Sequence, residues 1–236
     1  MTRECASVVG IGRNVAALEQ LKAIGGIQDF CVADITKTGE CKRAIEAAAE
    51  TLNGLTTVVN CAGVLQVGAM GSVDLENYQY NMLTNTQAPF EIMVHAIPFL
   101  KQQHKDSSPS IVNVSSVNGK QSFAGCVTYC MSKAALDQLT RCASVDLAAD
   151  GIRVNAVNPG VIETNLQKAG GLSDENYAAF LKRSVEVTHP LSASLGRVGL
   201  PEEVGELIAF LVSDKAKFIT GECIAIDGGR QNLGAR

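Results

Sequence analysis

The sequence predicts an α/β protein built on a doubly wound parallel sheet, in one domain. Three observations carry this. Short apolar runs alternate with helical stretches along the whole chain. The runs are continuous rather than alternating, as strands covered on both faces require. Small and polar residues collect just after each run, where an open parallel sheet binds its ligands. With 236 residues and no linker-like tract, the chain suits one large domain.

The predicted strands are 5–11, 29–34, 55–61, 110–115, 152–158 and 222–227, each rich in Val, Ile or Cys. Helical patterns lie between them. Residues 14–24 follow the first strand, and 40–53 carry Ala44, Ala47, Ala48 and Leu52. A further helix is expected around 80–104. Residues 126–149 set Leu136, Leu139, Ala143 and Leu147 on one side. Residues 201–213 open with Pro201 and two acids, a favourable first helical turn. There Val204, Leu207, Ile208 and Leu211 fall at i, i+3, i+4 and i+7. Alternating β and α elements imply right-handed crossovers, with helices on both faces. The stretch 163–196, with Gly170-Gly171, reads as an excursion over the sheet that covers a substrate, not a second domain.

Composition excludes several classes. Apolar residues are 46% and charged residues 19%, which argues against disorder. The net charge of −4 offers no basic face for nucleic acid, and aromatic residues at 5% offer no stacking platform. The sequence has no run of 18 apolar residues to span a membrane and no signal-like start. Eight scattered cysteines and three histidines fit no zinc spacing. No metal is expected, and free thiols point to a reducing cytoplasmic setting.

The chemistry gathers in a few places. Tyr129 and Lys133 are four apart in a helical segment and therefore share a face. An ammonium beside a phenol favours the phenolate and brings it towards useful acidity. Ser116 ends an apolar strand, where its hydroxyl can bond a substrate oxygen. Asn60-Cys61-Ala62-Gly63 ends another, with small residues that let a planar ligand approach. Pro159-Gly160-Val161-Ile162-Glu163-Thr164 follows a third, and Asn85 sits in a helix-like segment.

In this order, Asn60-x-Ala62-Gly63, Asn85, Ser115-Ser116, Tyr129-x-x-x-Lys133 and Asn158-Pro159-Gly160-x-x-x-Thr164 resemble the short-chain dehydrogenase/reductase family of classical length. The ending Thr220-Gly221 to Asp227-Gly228-Gly229 is similar to that family's last strand. The resemblance implies a Rossmann-like domain moving a hydride between a nicotinamide and an alcohol or carbonyl carbon. It makes Tyr129 the general acid/base, with Lys133 lowering its pKa and holding the nicotinamide ribose. Ser116 would orient the substrate oxygen, and Asn85 would hold a water linked to Lys133. Asn60, Ala62 and Gly63 would line the ribose, and Ile162 and Thr164, following Pro159-Gly160, the carboxamide. Asp34 would touch the adenine. Arg13, where an acid would otherwise take the ribose 2′-hydroxyl, suits a 2′-phosphate, so NADP(H) is favoured over NAD(H). Family membership also implies a small-molecule carbonyl or alcohol substrate and a homodimer or homotetramer. The contacts between copies would come from the helices around 80–104 and 126–149 and from the C-terminal strand region.

One part of the family pattern has no counterpart. The usual opening is a strand, Thr-Gly-x-x-x-Gly-x-Gly and a helix. Gly10-Ile11-Gly12 with Asp34 looks superficially like a dinucleotide fingerprint. Val15, however, stands where the third small residue belongs, and the other motifs align Gly12-Arg13-Asn14 with the end of the family's second strand. A strand, a glycine loop and most of a helix, about 20–25 residues, are therefore expected to be lacking. In the family's sheet order 3-2-1-4-5-6-7 that strand is central. Without it two ladders are lost, apolar helix faces are uncovered and the pyrophosphate has no amide cradle. The expected alternatives are an active NADP(H) oxidoreductase and a catalytically silent binding or dimerisation partner.

Overall fold

The computed structural model describes residues 6–102 and 108–233. The strands are β1 (Val9–Gly12), β2 (Asp29–Val32), β3 (Thr57–Asn60), β4 (Ser110–Val114), β5 (Arg153–Pro159) and β6 (Cys223–Ile226). Each falls within or beside a predicted run and is mostly shorter than it. The first prediction began at Cys5, which lies outside the described residues. Helices α1 (Val15–Ala23), α2 (Glu40–Leu52), α5 (Val127–Asp146) and α9 (Pro201–Val212) occupy the four main predicted helical stretches.

All strand pairs are parallel, but they form two sheets, β2-β1 and β3-β4-β5-β6. Among the described residues no strand lies between β1 and β3. A cavity of about 610 Å³ stands there, walled by residues of both strands and by Ile45, Ala48 and Ile92 from the helices beside them.

The core lies on both faces of the larger sheet, as continuous apolar strands demand. Successive residues of one strand serve opposite sides. Ile111 and Val154 pack with Ile45, Met93, Ala96 and Leu100, while Val112 and Val157 pack with Val204, Ile208 and Leu211 of α9. That helix begins at Pro201, and its Leu200 N–H donates to Glu203 Oε2 at 2.7 Å. At its other end the buried Arg153 guanidinium donates to Leu211 O at 2.7 Å and Ser213 O at 3.3 Å. A cation there satisfies orphan carbonyls and opposes the helix dipole.

The helix expected around 80–104 is not one regular helix. It is α3 (Leu75–Met82), a π-helical turn at Leu83–Gln87 and α4 (Ala88–Gln102), with 103–104 outside the described residues. The extra residue in the π turn accompanies the burial of Thr84 and Asn85, a local device common at functional sites. Residues 163–196 form α6 (Leu166–Ala169), α7 (Asp174–Arg183), a second π turn at Ser184–Thr188 and α8 (Pro190–Leu195). The excursion leaves at Ile162 and returns at Gly199, and these two residues bridge each other.

Candidate active site

The carboxyl ends of the strands gather the expected residues into two groups. Tyr129 and Lys133 lie one turn apart on α5, and Lys133 Nζ stands 5.9 Å from the centroid of the Tyr129 ring. Both are almost fully buried, at 6% and 4% exposure. Lys133 Nζ donates to Val114 O at 2.9 Å, at the end of β4. A side-chain carbon at Gly63 would lie 3.5 Å from Lys133 Nζ and 3.4 Å from Asn85 Oδ1. The bare backbone there lets both groups close in. Arg13 and Asp34 form the second group, 3.9 Å apart at the ends of β1 and β2. Asp34 also accepts from Thr36 Oγ1 at 2.6 Å, and this bond is the main reason its carboxyl is held below the usual range.

Burial reverses one expectation. The ammonium of Lys133 was expected to pull the Tyr129 phenol down. Instead burial pushes that phenol up to about 12, with the Ser116 hydroxyl acting in the opposite direction. Lys133 itself is pushed down to about 8 by burial. The reason is geometric. The ammonium addresses the ring and a backbone carbonyl, and desolvation of the anion outweighs the rest.

Asn85 is fully buried in the π turn. Its Oδ1 accepts from Val64 N–H at 2.8 Å, and its Nδ2 donates to Val64 O at 2.9 Å and Ser132 Oγ at 3.0 Å. These bonds clamp the loop after β3 to α5. Ser132 Oγ donates to Tyr129 O at 2.8 Å, and Thr86 Oγ1 to Ser132 O at 2.9 Å. The π turn is thus stitched to the helix that carries Tyr129 and Lys133.

Ser116 lies two residues beyond β4 and caps a short 3₁₀ turn, its Oγ accepting from Asn118 N–H at 3.1 Å. Its carbonyl accepts from Asn158 Nδ2 at 2.8 Å, and the same amide donates to Asp137 Oδ2 at 2.9 Å. Asp137 follows Lys133 by one turn and is buried, which raises its carboxyl pKa. Ser115 Oγ donates to Lys133 O at 3.2 Å. Sequence reasoning missed this Asp137–Asn158 support, although Asp137 stands on the Tyr129–Lys133 face by its spacing alone.

Asn60 turns inward. Its Nδ2 donates to Asn113 Oδ1 at 2.8 Å, and its Oδ1 is buried without a partner. Ala62 and Gly63 are exposed at the mouth beside it. Pro159, Gly160, Ile162 and Thr164 lie at and after the end of β5. A side chain at Gly160 would meet His189 Nε2 at 2.8 Å. His189 Nε2 accepts from Val161 N–H at 3.0 Å, and its Nδ1 lies 3.2 Å from Ser184 O. This bonding selects the Nδ1–H tautomer. Burial holds the ring below its ordinary pKa. His189 therefore fastens the loop after β5 to the second π turn. Thr164 is exposed, its carbonyl accepting from Tyr177 Oη at 3.1 Å. No hydrogen bond among the described residues joins Thr164 or Ile162 to Tyr129 or Lys133.

Comparison with known proteins decides the family. A family model described as enoyl-(acyl carrier protein) reductase matches residues 1–231. The 2-(S)-hydroxypropyl-CoM dehydrogenase 3 of Xanthobacter autotrophicus is 31% identical over 220 residues, covering 93% of this chain and 82% of that one. The 3-oxoacyl-[acyl-carrier-protein] reductase FabG of Staphylococcus aureus is 33% identical over 215 residues, covering 91% and 81%. A Caenorhabditis elegans short-chain dehydrogenase/reductase of unknown function, solved with cofactor, superposes with a TM-score of 0.88 at 30% identity, covering 99% of this chain and 89% of that one. The chain belongs to the short-chain dehydrogenase/reductase family. It is an oxidoreductase of a family that acts on small-molecule alcohol or carbonyl carbons and uses NAD(P)(H). Among its described residues no helix is long and apolar enough to cross a membrane.

Proposed function

We propose that this protein reduces the carbonyl of a small, largely apolar molecule with NADP(H), and that Tyr129 delivers the proton. The observation that carries the reading is the Tyr129 phenol beside the Lys133 ammonium and the Ser116 hydroxyl. A phenol at about 12 stays protonated through the neutral range, so it serves as a donor to a developing alkoxide. A bound nicotinamide supplies the hydride. Tyr129 Oη donates its proton to the substrate oxygen, and Ser116 Oγ hydrogen-bonds the same oxygen and orients it. Lys133, still largely protonated at pH 7 with a pKa of about 8, stabilises the phenolate that remains. Asn85 acts as a positioning residue through Val64 and Ser132.

The residues fit a nicotinamide riboside at one end. Asn60 Oδ1, buried without a partner, offers an acceptor to a ribose hydroxyl. The bare backbone at Gly63 allows close approach, and the loop of Pro159, Gly160, Ile162 and Thr164 would hold the carboxamide. At the other end Arg13 would take a 2′-phosphate, with Asp34 at the adenine. Residues 163–196 would cover the substrate, with Val64, Leu65 and Leu166 as its apolar walls. Exposed Phe90, Val94 and Val145 on α4 and α5 support assembly into a homodimer or homotetramer through those helices.

A second reading has its own observation. Among the described residues no strand pairs with the facing edges of β1 and β3, and a dinucleotide's pyrophosphate needs an amide cradle of the kind that follows such a strand. That favours a chain with impaired catalysis that acts as a binding partner. The deciding experiment follows NADPH oxidation with a panel of ketones, aldehydes and 3-oxoacyl thioesters, for the protein and for Tyr129→Phe. The expected result is turnover that falls at least ~100-fold in the variant. Turnover unchanged by Tyr129→Phe overturns the assignment of the acid, and no turnover with any substrate favours the second reading.

A further inference from the structure

We propose that Asp137 is a positioning residue of the active site, whose buried carboxylate holds Ser116 in place through Asn158 and balances the charge of Lys133 on the same helix face. The inference deepens the proposed function and rests on the catalytic roles given there to Ser116 and Lys133. Asp137 follows Lys133 by one turn of α5, as Lys133 follows Tyr129. A helix packed on an apolar sheet takes Leu or Val at such a position without electrostatic cost. A carboxyl at 1% exposure is costly unless its oxygens are hydrogen-bonded and its charge is compensated. Both conditions are met here by groups of the candidate site.

The hydrogen bonds lead to Ser116. Asn158 Nδ2 donates to Asp137 Oδ1 at 3.1 Å and Oδ2 at 2.9 Å, and to Ser116 O at 2.8 Å. An ionised carboxylate accepts at both oxygens, whereas a protonated one presents a donor at one of them, so this geometry selects the charged form. The charged form in turn fixes the Asn158 amide, because turning its oxygen round would set acceptor against acceptor at both Asp137 and Ser116 O. Ser116 O accepts from Gly119 N–H as well, at 2.9 Å, which closes the 3₁₀ turn. A side-chain carbon at Gly119 would lie 2.7 Å from Asp137 Oδ2 and 2.9 Å from Lys133 O. The carboxylate therefore lies directly against the turn that Ser116 caps.

The charge is directed at Lys133. Lys120, from the loop after the 3₁₀ turn, and Arg141 of α5 also face Asp137, but both are exposed and their nitrogens bond Cys223 and Gln138. Water screens such charges, whereas Lys133 is buried with Asp137. The acidic groups facing Lys133 are Tyr129 on its own helix, Cys61 after β3 and Asp137. Burial raises both the Tyr129 phenol and the Cys61 thiol, so both are neutral at pH 7. Cys223 of β6, beside Asp137, is pushed up to about 11 by burial and is neutral too. Asp137 is therefore the ionised acid on this face, and its attraction opposes the desolvation that lowers Lys133.

The test separates charge from geometry. Asp137→Asn keeps an acceptor for Asn158 and removes the charge, whereas Asp137→Ala removes both. The first readout is the NMR titration of the Lys133 side chain, its signal assigned by its loss in Lys133→Met; neither cofactor nor substrate is needed. In Asp137→Asn its midpoint is expected to fall by at least ~0.5 in pH. The second readout is amide hydrogen exchange at Asn118 and Gly119, whose N–H groups donate to Ser116. Exchange there should be at least ~10-fold faster in Asp137→Ala and within ~3-fold of wild type in Asp137→Asn. Asn158→Ala breaks the same link from its other end and should reproduce the fast exchange, which keeps this arm decisive if Asp137→Ala does not fold. An unmoved Lys133 midpoint in Asp137→Asn overturns the proposal, as does exchange unchanged in the alanine variants. Carbonyl reduction is followed separately, and the alkaline limb of kcat should move with the Lys133 midpoint. A midpoint that moves in a protein without turnover upholds the role of Asp137 and counts against the proposed reduction.

Discussion

Replacing Lys133 by Met should stabilise the protein while disabling it. The ammonium is buried, and its pKa falls from the ordinary 10.5 to about 8, mainly by desolvation. At ~1.4 kcal/mol per tenfold change, holding that charge inside costs about 3 kcal/mol at pH 7. Methionine has similar reach and no charge. Its introduction leaves Val114 O without the donor now at 2.9 Å, a loss of ~1 kcal/mol. The net expectation is a gain of ~2 kcal/mol at pH 7, or a midpoint higher by ~4–8 °C for a domain of this size. The sign with pH follows from linkage. A base whose folded pKa lies below its unfolded value bears the full cost below pH 8, and the cost disappears between pH 8 and 10.5. Wild type should therefore gain on the variant across that window, until the variant's advantage is gone. Urea unfolding of both proteins at pH 7, 8.5 and 10 measures this, with carbonyl reduction followed in parallel. A variant less stable than wild type at pH 7, with a difference that does not change with pH, would refute the reasoning.

Three further outcomes are expected. Asn85→Ala removes three side-chain bonds, two of them to Val64, and should cost ~2–4 kcal/mol in urea unfolding; a cost under ~1 kcal/mol would mean that the loop after β3 is held by other contacts. Arg13→Asp should shift the ratio of kcat/KM for NADPH over NADH at least ~10-fold towards NADH, whereas an unchanged ratio would mean that Arg13 does not touch the 2′-phosphate. His189 is held below its ordinary pKa of 6.5 by burial, so stability should be lost as pH falls below about 6.5, where the imidazolium can no longer accept from Val161 N–H. His189→Gln should flatten that slope, and a parallel slope in the variant would place the acid sensitivity elsewhere.

The fold was legible because its central strands are buried on both faces and so appear as mainly apolar runs without period-2 alternation. Val112 and Val157 serve one core while Ile111 and Val154 serve the other, and the asparagines among them, Asn113 and Asn155, are themselves buried and hydrogen-bonded. The helix through 80–104 was misread for the converse reason. A π turn changes the local period by a single residue, and the apolar spacing on either side of Leu83–Gln87 still resembles that of an α-helix. The gap between β1 and β3 was foreseeable only through the family resemblance, because no local pattern reports a strand that is not there.

Within the candidate site, the readable features depend on local spacing. The four-residue step from Tyr129 to Lys133 places both on one face whatever surrounds them. The sign of their pKa shifts depends on burial, and burial is set by β4, the π turn and the loop after β3, elements distant in sequence. Attraction between an ammonium and a phenolate falls off with distance and misdirection, whereas desolvation acts on the anion wherever the ring is enclosed. At 5.9 Å from the ring centroid, with its bond directed to Val114 O, the ammonium is the weaker influence. A phenol at about 12 and an ammonium at about 8 leave both groups predominantly protonated at pH 7. That pairing suits giving a proton to a carbonyl oxygen better than taking one from an alcohol, so the expected direction of catalysis follows from burial and not from the motif.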